Sequence, residues 1–195
     1  CNRIVAETGA VYIGSSNDVR VIAGQGTMGL ELMEQAEGLD AIVAPVGGGG
    51  MMSGLCIAAK GIKKNIRMFG AEPEGANDAK LSLESGKIIH NKEVNTICDG
   101  LRTNLGHNTF AIMHKHVEKI ITVSDDQVRD AMRLIWERMK IVVEPSGAIP
   151  LAVVLTEEFK SLSGIERVGI VLSGGNIDLN KWSWKSPTEL NAKRE

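Results

Sequence analysis

Apolar residues along this chain fall into two alternating patterns, short continuous runs and longer stretches with a three-to-four-residue repeat. After Gly24-Gln25-Gly26, the positions Met28, Leu32, Gln35 and Ala36 predict a helix over residues 27–37. The run that follows, ending at Val46, predicts a buried strand. Met52, Leu55, Ala58 and Ala59 then make the apolar face of a helix over 51–63, followed by a strand over 66–71. Farther on, Ile120-Ile121-Thr122-Val123 predicts another strand, and Ser124 with Gln127 forms a capping box for the helix after it. The stripe Val128, Ala131, Met132, Ile135 and Met139 packs that helix on the sheet, with its methionines as core residues. An apolar helix from after Glu144 through Leu155, with Pro150 in its first turns, leads to a last strand over 168–172.

Strands that alternate with helices and are apolar throughout predict an α/β fold: an open, mostly parallel twisted sheet with helices on both faces. In such a sheet the ligand belongs at the C-terminal ends of the strands. There is no internal repeat and no low-complexity linker. Residues 181–195 are polar, with Trp182 and Trp184 as anchors.

Composition narrows the function classes. The 195 residues are 43% hydrophobic and 24% charged, enough for a substantial core, and the formal net charge of −2 gives no electrostatic basis for a nucleic-acid or anionic-membrane partner. No apolar stretch approaches the roughly 20 residues of a membrane span. Cys1, Cys56 and Cys98 are odd in number and widely spaced, which argues against a disulfide framework or a zinc site and for a reducing, cytoplasmic setting. The four histidines, His90, His107, His114 and His116, lack the spacing of a zinc pair or a place in a catalytic triad, and read as surface or packing residues.

Chemistry concentrates where apolar runs stop. Val46-Gly47-Gly48-Gly49-Gly50 sits at a strand-to-helix junction, where consecutive backbone N–H groups and the helix dipole can hold a phosphate. A flexible turn is the plain alternative, and the position at the junction decides for the ligand. A second such turn is Ser173-Gly174-Gly175-Asn176; Ser173 reads as a site residue or a cap, and Asn176 equally as turn or site. Glu72 and Asp78, placed just beyond a strand end at Ala71, with the Ala76 carbonyl between them, suit a hard cation or form a solvated acidic loop. Glu144 either lies near a ligand or is held by the helix dipole without catalysis.

With Glu144-Pro145-Ser146-Gly147-Ala148, these turns resemble the fold type II pyridoxal-phosphate enzymes, the serine/threonine dehydratase and serine racemase family. Val21-Ile22-Ala23-Gly24-Gln25-Gly26-Thr27, Ala71-Glu72-Pro73, Asp99-Gly100 and Trp136-Glu137-Arg138-Met139-Lys140 follow in the family's order and are nearest to eukaryotic-type serine racemases and their serine or hydroxyaspartate dehydratase relatives. The resemblance implies pyridoxal 5'-phosphate as cofactor, with Gly47, Gly48, Gly49, Gly50 and Met51 at the phosphate, Gly100 beside the cofactor through its backbone, Ser173 at the pyridine nitrogen and Asn176 near it. A hydroxyl at that nitrogen makes a weaker electron sink than a carboxylate would, and favours elimination or proton return over transamination. The resemblance also implies Mg2+, Mn2+ or Ca2+ at Glu72, Ala76 and Asp78, an ATP effector near Lys140 (otherwise a plain helix-end charge), and a homodimer. The Schiff-base lysine is expected upstream of Cys1, so the chain carries no catalytic residue of its own and reads as a C-terminal portion, with residues 1–19 a remnant of the small domain and 20–195 the large domain. Where biosynthetic threonine dehydratases append a regulatory domain, this chain has only its short tail. The implied activity is serine racemisation or β-elimination to pyruvate and ammonia; threonine or 3-hydroxyaspartate dehydration, a phosphate-binding portion without catalysis, and cysteine synthase-like β-replacement are the alternatives.

Overall fold

In a computed structural model, which describes residues 1–180 and 182–184, four strands form one parallel sheet in the order β3-β2-β1-β4. In chain order the elements are α1 (Asn2–Thr8), α2 (Val19–Gln35), β1 (Ala41–Pro45), α3 (Gly50–Ile62), β2 (Arg67–Pro73), α4 (Asp78–Ser85), α5 (His107–His116), β3 (Lys119–Val123), α6 (Asp125–Leu134), α7 (Pro145–Val154), α8 (Glu157–Lys160) and β4 (Val168–Ile170). Central β1 is buried along its whole length and pairs Ala41 with Arg67 of β2 and with Val168 of β4.

The period-two alternation of β1 divides the core between two faces. Ile42, Ala44 and Val46, with Met68 and Ile120, pack toward Met52, Leu55 and Ala59 of α3. Ala41 and Val43, with Phe69, Ala71 and Ile121, pack toward Ile149, Ala152 and Val153 of α7. On that second face Phe69 meets Phe159 of α8 edge-on at 5.3 Å. The doubly covered parallel sheet read from the sequence is therefore the fold.

Five local expectations differ from the structure. Helix α2 begins at Val19, eight residues before the expected start, because the Asp18 side chain accepts the Arg20 N–H at 2.9 Å and caps it there. Gly24 and Gly26 lie inside this helix. Gly26 sits against Gly54 of α3, and a Cβ on Gly54 would run into the Ile22 carbonyl, so small residues let two helix backbones approach. β2 continues to Pro73, since its pairing with β3 runs from Phe69↔Lys119 to Pro73↔Val123; Glu72 is thus within the strand, not beyond it.

The capping box of α6 forms as expected, with Gln127 N–H donating to Ser124 Oγ at 3.3 Å and Ser124 N–H donating to Gln127 Oε1 at 2.9 Å. Val128, Ala131, Met132 and Ile135 are fully buried, but Met139 is half exposed. A π-helical turn over Ile135–Met139 widens the helix and carries Met139 off the apolar stripe. Pro150 stands in the interior of α7 and not in its first turn, which Pro145 occupies. β4 ends at Ile170, two residues short of the expected end, although Val171 N–H still donates to Val43 O at 3.0 Å. Trp182 and Trp184 are docked, while residue 181 and residues 185–195 of the polar tail lie outside the described residues.

Candidate functional site

β2 and β3 follow β1 toward one edge of the sheet and β4 lies on the other side of β1, so the chain reverses direction between β1 and β4. That switch point is where an open parallel sheet leaves a crevice. The turns after β1 and β4 border it here: a cleft of about 320 Å3 is lined by Gly47, Gly48, Gly49, Gly50 and Met51 on one side and by Ser173 and Glu144 on the other. Gly100 and Leu101 enter from the 3₁₀ turn Asp99–Leu101.

Gly49 adopts φ +80, which turns the chain from β1 into α3. The internal ladder of α3 starts with Ser53 N–H donating to Gly49 O at 2.9 Å, so the preceding N–H groups precede that ladder at the cleft, at the positive end of the helix dipole. At Gly48 a Cβ would collide with the Ser16 hydroxyl, and at Gly50 it would lie 2.9 Å from Ser16 Cα. At Gly47 it would lie 3.1 Å from Gly100 O and 3.2 Å from Thr103 Oγ1. The absence of side chains thus makes a cradle whose walls are backbone and hydroxyls.

Helix α7 ties the other turns together. Gly100 N–H donates to Ser146 Oγ at 3.1 Å. Glu144, the N-cap residue, donates its N–H to Gly174 O at 3.1 Å and accepts Asn176 N–H on Oε2 at 2.9 Å. Gly174 has φ +69 and a Cβ there would lie 2.5 Å from the Glu144 carboxylate, so the carboxylate rests on the turn that bears Ser173.

Among the residues expected at the cofactor, Gly47 through Met51, Gly100 and Ser173 line one cleft. Asn176 does not line it; it is exposed and its N–H serves Glu144. Lys140 is exposed with φ 60 and donates Nζ to Glu137 O at 2.7 Å. Sequence reasoning missed Ser15, Ser16, Gln25, Thr103 and, as a lining side chain, Ser146. Ser16 reaches the cradle because Asn17 Oδ1 accepts Asn108 N–H at 2.8 Å and Thr109 N–H at 3.3 Å at the start of α5, a contact 91 residues away in sequence. The small polar run Ser15-Ser16-Asn17-Asp18 was its one visible signal. No lysine lines the cleft among the described residues.

Glu72 and Asp78 are both fully buried. Burial pushes the Glu72 carboxyl up to about 8, against the Lys80 and Ala79 N–H groups that it accepts, with Asp78 adding repulsion. Burial also raises Asp78, which accepts Leu105 N–H at 3.0 Å and Asn91 Nδ2 at 2.9 Å. Ala76 is buried in the 3₁₀ turn Glu74–Ala76 between them. No cluster of three or more His, Cys, Asp or Glu side chains occurs among the described residues, so a cation here would draw on this pair and on backbone oxygen. The Cys56 and Cys98 thiols are buried and pushed up to about 12 by that burial, hence unreactive. His114 stacks on Phe110 at 5.4 Å, a packing role.

Comparison with known proteins shows the family. The family described as "Pyridoxal-phosphate dependent enzyme" matches residues 1–174. A serine racemase of Dictyostelium discoideum is 49% identical over 183 residues, covering 93% of this chain and 56% of the relative. The beta-hydroxyaspartate dehydratase of Paracoccus denitrificans is 46% identical over 182 residues, covering 93% of this chain and 57% of the relative. The structure of maize serine racemase superposes with a TM-score of 0.91 at 43% identity, covering all of this chain and 60% of that one. The chain spans somewhat more than half the length of the curated relatives it matches.

Proposed function

The chain belongs to the pyridoxal-phosphate dependent enzyme family, and from that premise we propose that it forms the phosphate and ring-nitrogen side of the active site of a serine racemase or serine ammonia-lyase. The observation that carries the reading is the convergence of the Gly47–Gly50 cradle and the Ser173 turn on one cleft at the switch point. When bound, pyridoxal phosphate supplies the electron sink that lets an amino acid lose its Cα proton.

The chain's own residues bind and orient. N–H groups of the cradle and of Met51 hold the phosphate, with the Ser16 and Thr103 hydroxyls as neighbours. Ser173, which lines the cleft, would offer the pyridine nitrogen a neutral hydroxyl, which would keep the ring a moderate acceptor and suit elimination or proton return. Gly100 offers its carbonyl edge beside Gly47, its N–H being taken by Ser146. The group that takes the proton, and the lysine that holds the cofactor, come from outside residues 1–195. In this reading residues 1–19 end a smaller domain and 20–195 belong to the larger one, with Ser16 at their junction.

Glu72, Asp78 and the Ala76 carbonyl hold a divalent cation such as Mg2+, Mn2+ or Ca2+, a reading supported by two buried carboxylates that repel one another. The cation braces the loop after β2 and does not meet the substrate. An ATP effector at Lys140, a homodimer and a cytoplasmic setting belong to the same proposal through the family resemblance. A second reading, dehydration of 3-hydroxyaspartate or threonine, is favoured by the similarity to the Paracoccus dehydratase.

The test uses protein expressed from its whole reading frame, supplied with pyridoxal phosphate and Mg2+, and follows D- and L-serine, L-threonine and 3-hydroxyaspartate by oxo-acid formation and chiral chromatography. Oxo acid or inverted serine is expected. Oxo acid from both serine enantiomers without inverted product removes the racemase half, and no turnover of any of the four contradicts the proposal.

A further inference from the structure

All three tryptophans of the chain, Trp136, Trp182 and Trp184, gather behind the turn that bears Ser173. Trp184 meets Trp136 edge-on at 5.3 Å and Trp182 edge-on at 5.7 Å. Arg129 and Arg133 of α6 extend over Trp182 and Trp184 at 6.0 Å and 5.5 Å. Leu172 and Ile177, which flank the Ser173-to-Asn176 turn on its two sides, pack in the same cluster.

A hydrogen-bonded path also leads from these rings to the turn. Trp136, on the π-helical turn, donates its indole N–H to Val143 O at 2.9 Å. Val143 precedes Glu144, whose N–H and carboxylate hold Gly174 and Asn176. The turn is thus gripped through Glu144 on one side and through Leu172 and Ile177 on the other. It needs such a grip, because two adjacent glycines give it little order of its own.

We propose that Trp136, with Trp184 edge-on against it and Trp182 edge-on against Trp184, positions Ser173 for the cofactor's ring, so that residues outside the cleft set how the ring is held. This rests on the cofactor reading above. Trp136 is a positioning residue, acting through Val143 and Glu144; Trp184 acts through Trp136 and the residues that flank the turn.

The experiment uses the full-length protein and three readouts: the dissociation constant for pyridoxal phosphate, the absorption band of the bound cofactor, and the melting temperature of the apoprotein. Trp136→Phe keeps a ring and deletes the indole N–H. It should weaken cofactor binding about 5-fold, the effect of one lost hydrogen bond. The absorption band should move in the direction seen with Ser173→Ala. Trp184→Ala should do the same and Trp184→Phe should restore most of the loss. Wild-type affinity and an unmoved band in both Trp136→Phe and Trp184→Ala would overturn the proposal even if melting temperatures fall, since a merely stabilising cluster would move melting alone. If Trp184→Ala fails to fold, Trp136→Phe decides by itself. Wild-type protein that binds no pyridoxal phosphate would instead overturn the cofactor reading, and this proposal with it.

Discussion

Gly48 and Ser16 make the cradle as a pair, and only half of that pair was visible in the sequence. Four glycines after an apolar run announce a backbone that something must approach. What fills the space a Cβ would take at Gly48 is Ser16, brought there by Asn17 on α5, and no local pattern links residue 16 to residue 48. Glu72 shows the reverse case. Its place beside Asp78 was legible, but its full burial depends on β2 extending against β3. That burial has a pH consequence. The folded protein holds the Glu72 proton more tightly than the unfolded chain, whose group titrates near the ordinary 4.5. Between that value and about 8 the native state binds more protons, so stability is greatest below the window and falls as pH rises through it. In chelator the melting temperature should decline across this range, and Glu72→Gln should flatten the decline. Millimolar Mg2+ should raise the melting temperature most at the alkaline end, where the carboxylate is free to bind it. Melting curves indifferent to pH and to Mg2+ would remove the cation from the account.

Among the elements, strands were easier to read than helix ends. β1 is apolar at every position because both of its faces are covered, and that alone implied parallel neighbours and two layers of helices. Helix α2 misled because glycine is a poor helix former, so Gly24 and Gly26 looked like a start. Tertiary packing prevails there. The α2 and α3 backbones approach at Gly26 and Gly54, where a Cβ on Gly54 would run into the Ile22 carbonyl and the Gly26 N. Gly54→Val should therefore cost about 3 kcal/mol in urea unfolding, at the upper end for overpacking a core. A change below about 0.5 kcal/mol, typical of a surface site, would show that the two helices do not meet as described. Met139 misled for another reason. The π-helical turn shifts the phase of α6 after Ile135, and periodicity counted at 3.6 residues carries no sign of such a turn.

Across the whole molecule, strand order converts separate turns into one site. β1 and β4 are more than a hundred residues apart in sequence and adjacent in the sheet, so the glycine cradle and Ser173 meet at the reversal point, with α7 bracketing Gly100 and Gly174 from below. The glycine and serine turns could be named from the sequence. Their joining by Ser146 and Glu144 could not, because it depends on how α7 docks on the sheet. The central claim is that this cleft is a phosphate-anchored cofactor site. It is tested most directly by comparing the affinities of the full-length protein for pyridoxal phosphate and for pyridoxal, which lacks the phosphate. Several charge-assisted hydrogen bonds from the cradle predict a preference for pyridoxal phosphate of at least about 100-fold. Equal affinities would contradict the account, because the Gly47–Gly50 cradle would then hold nothing that the ring does not.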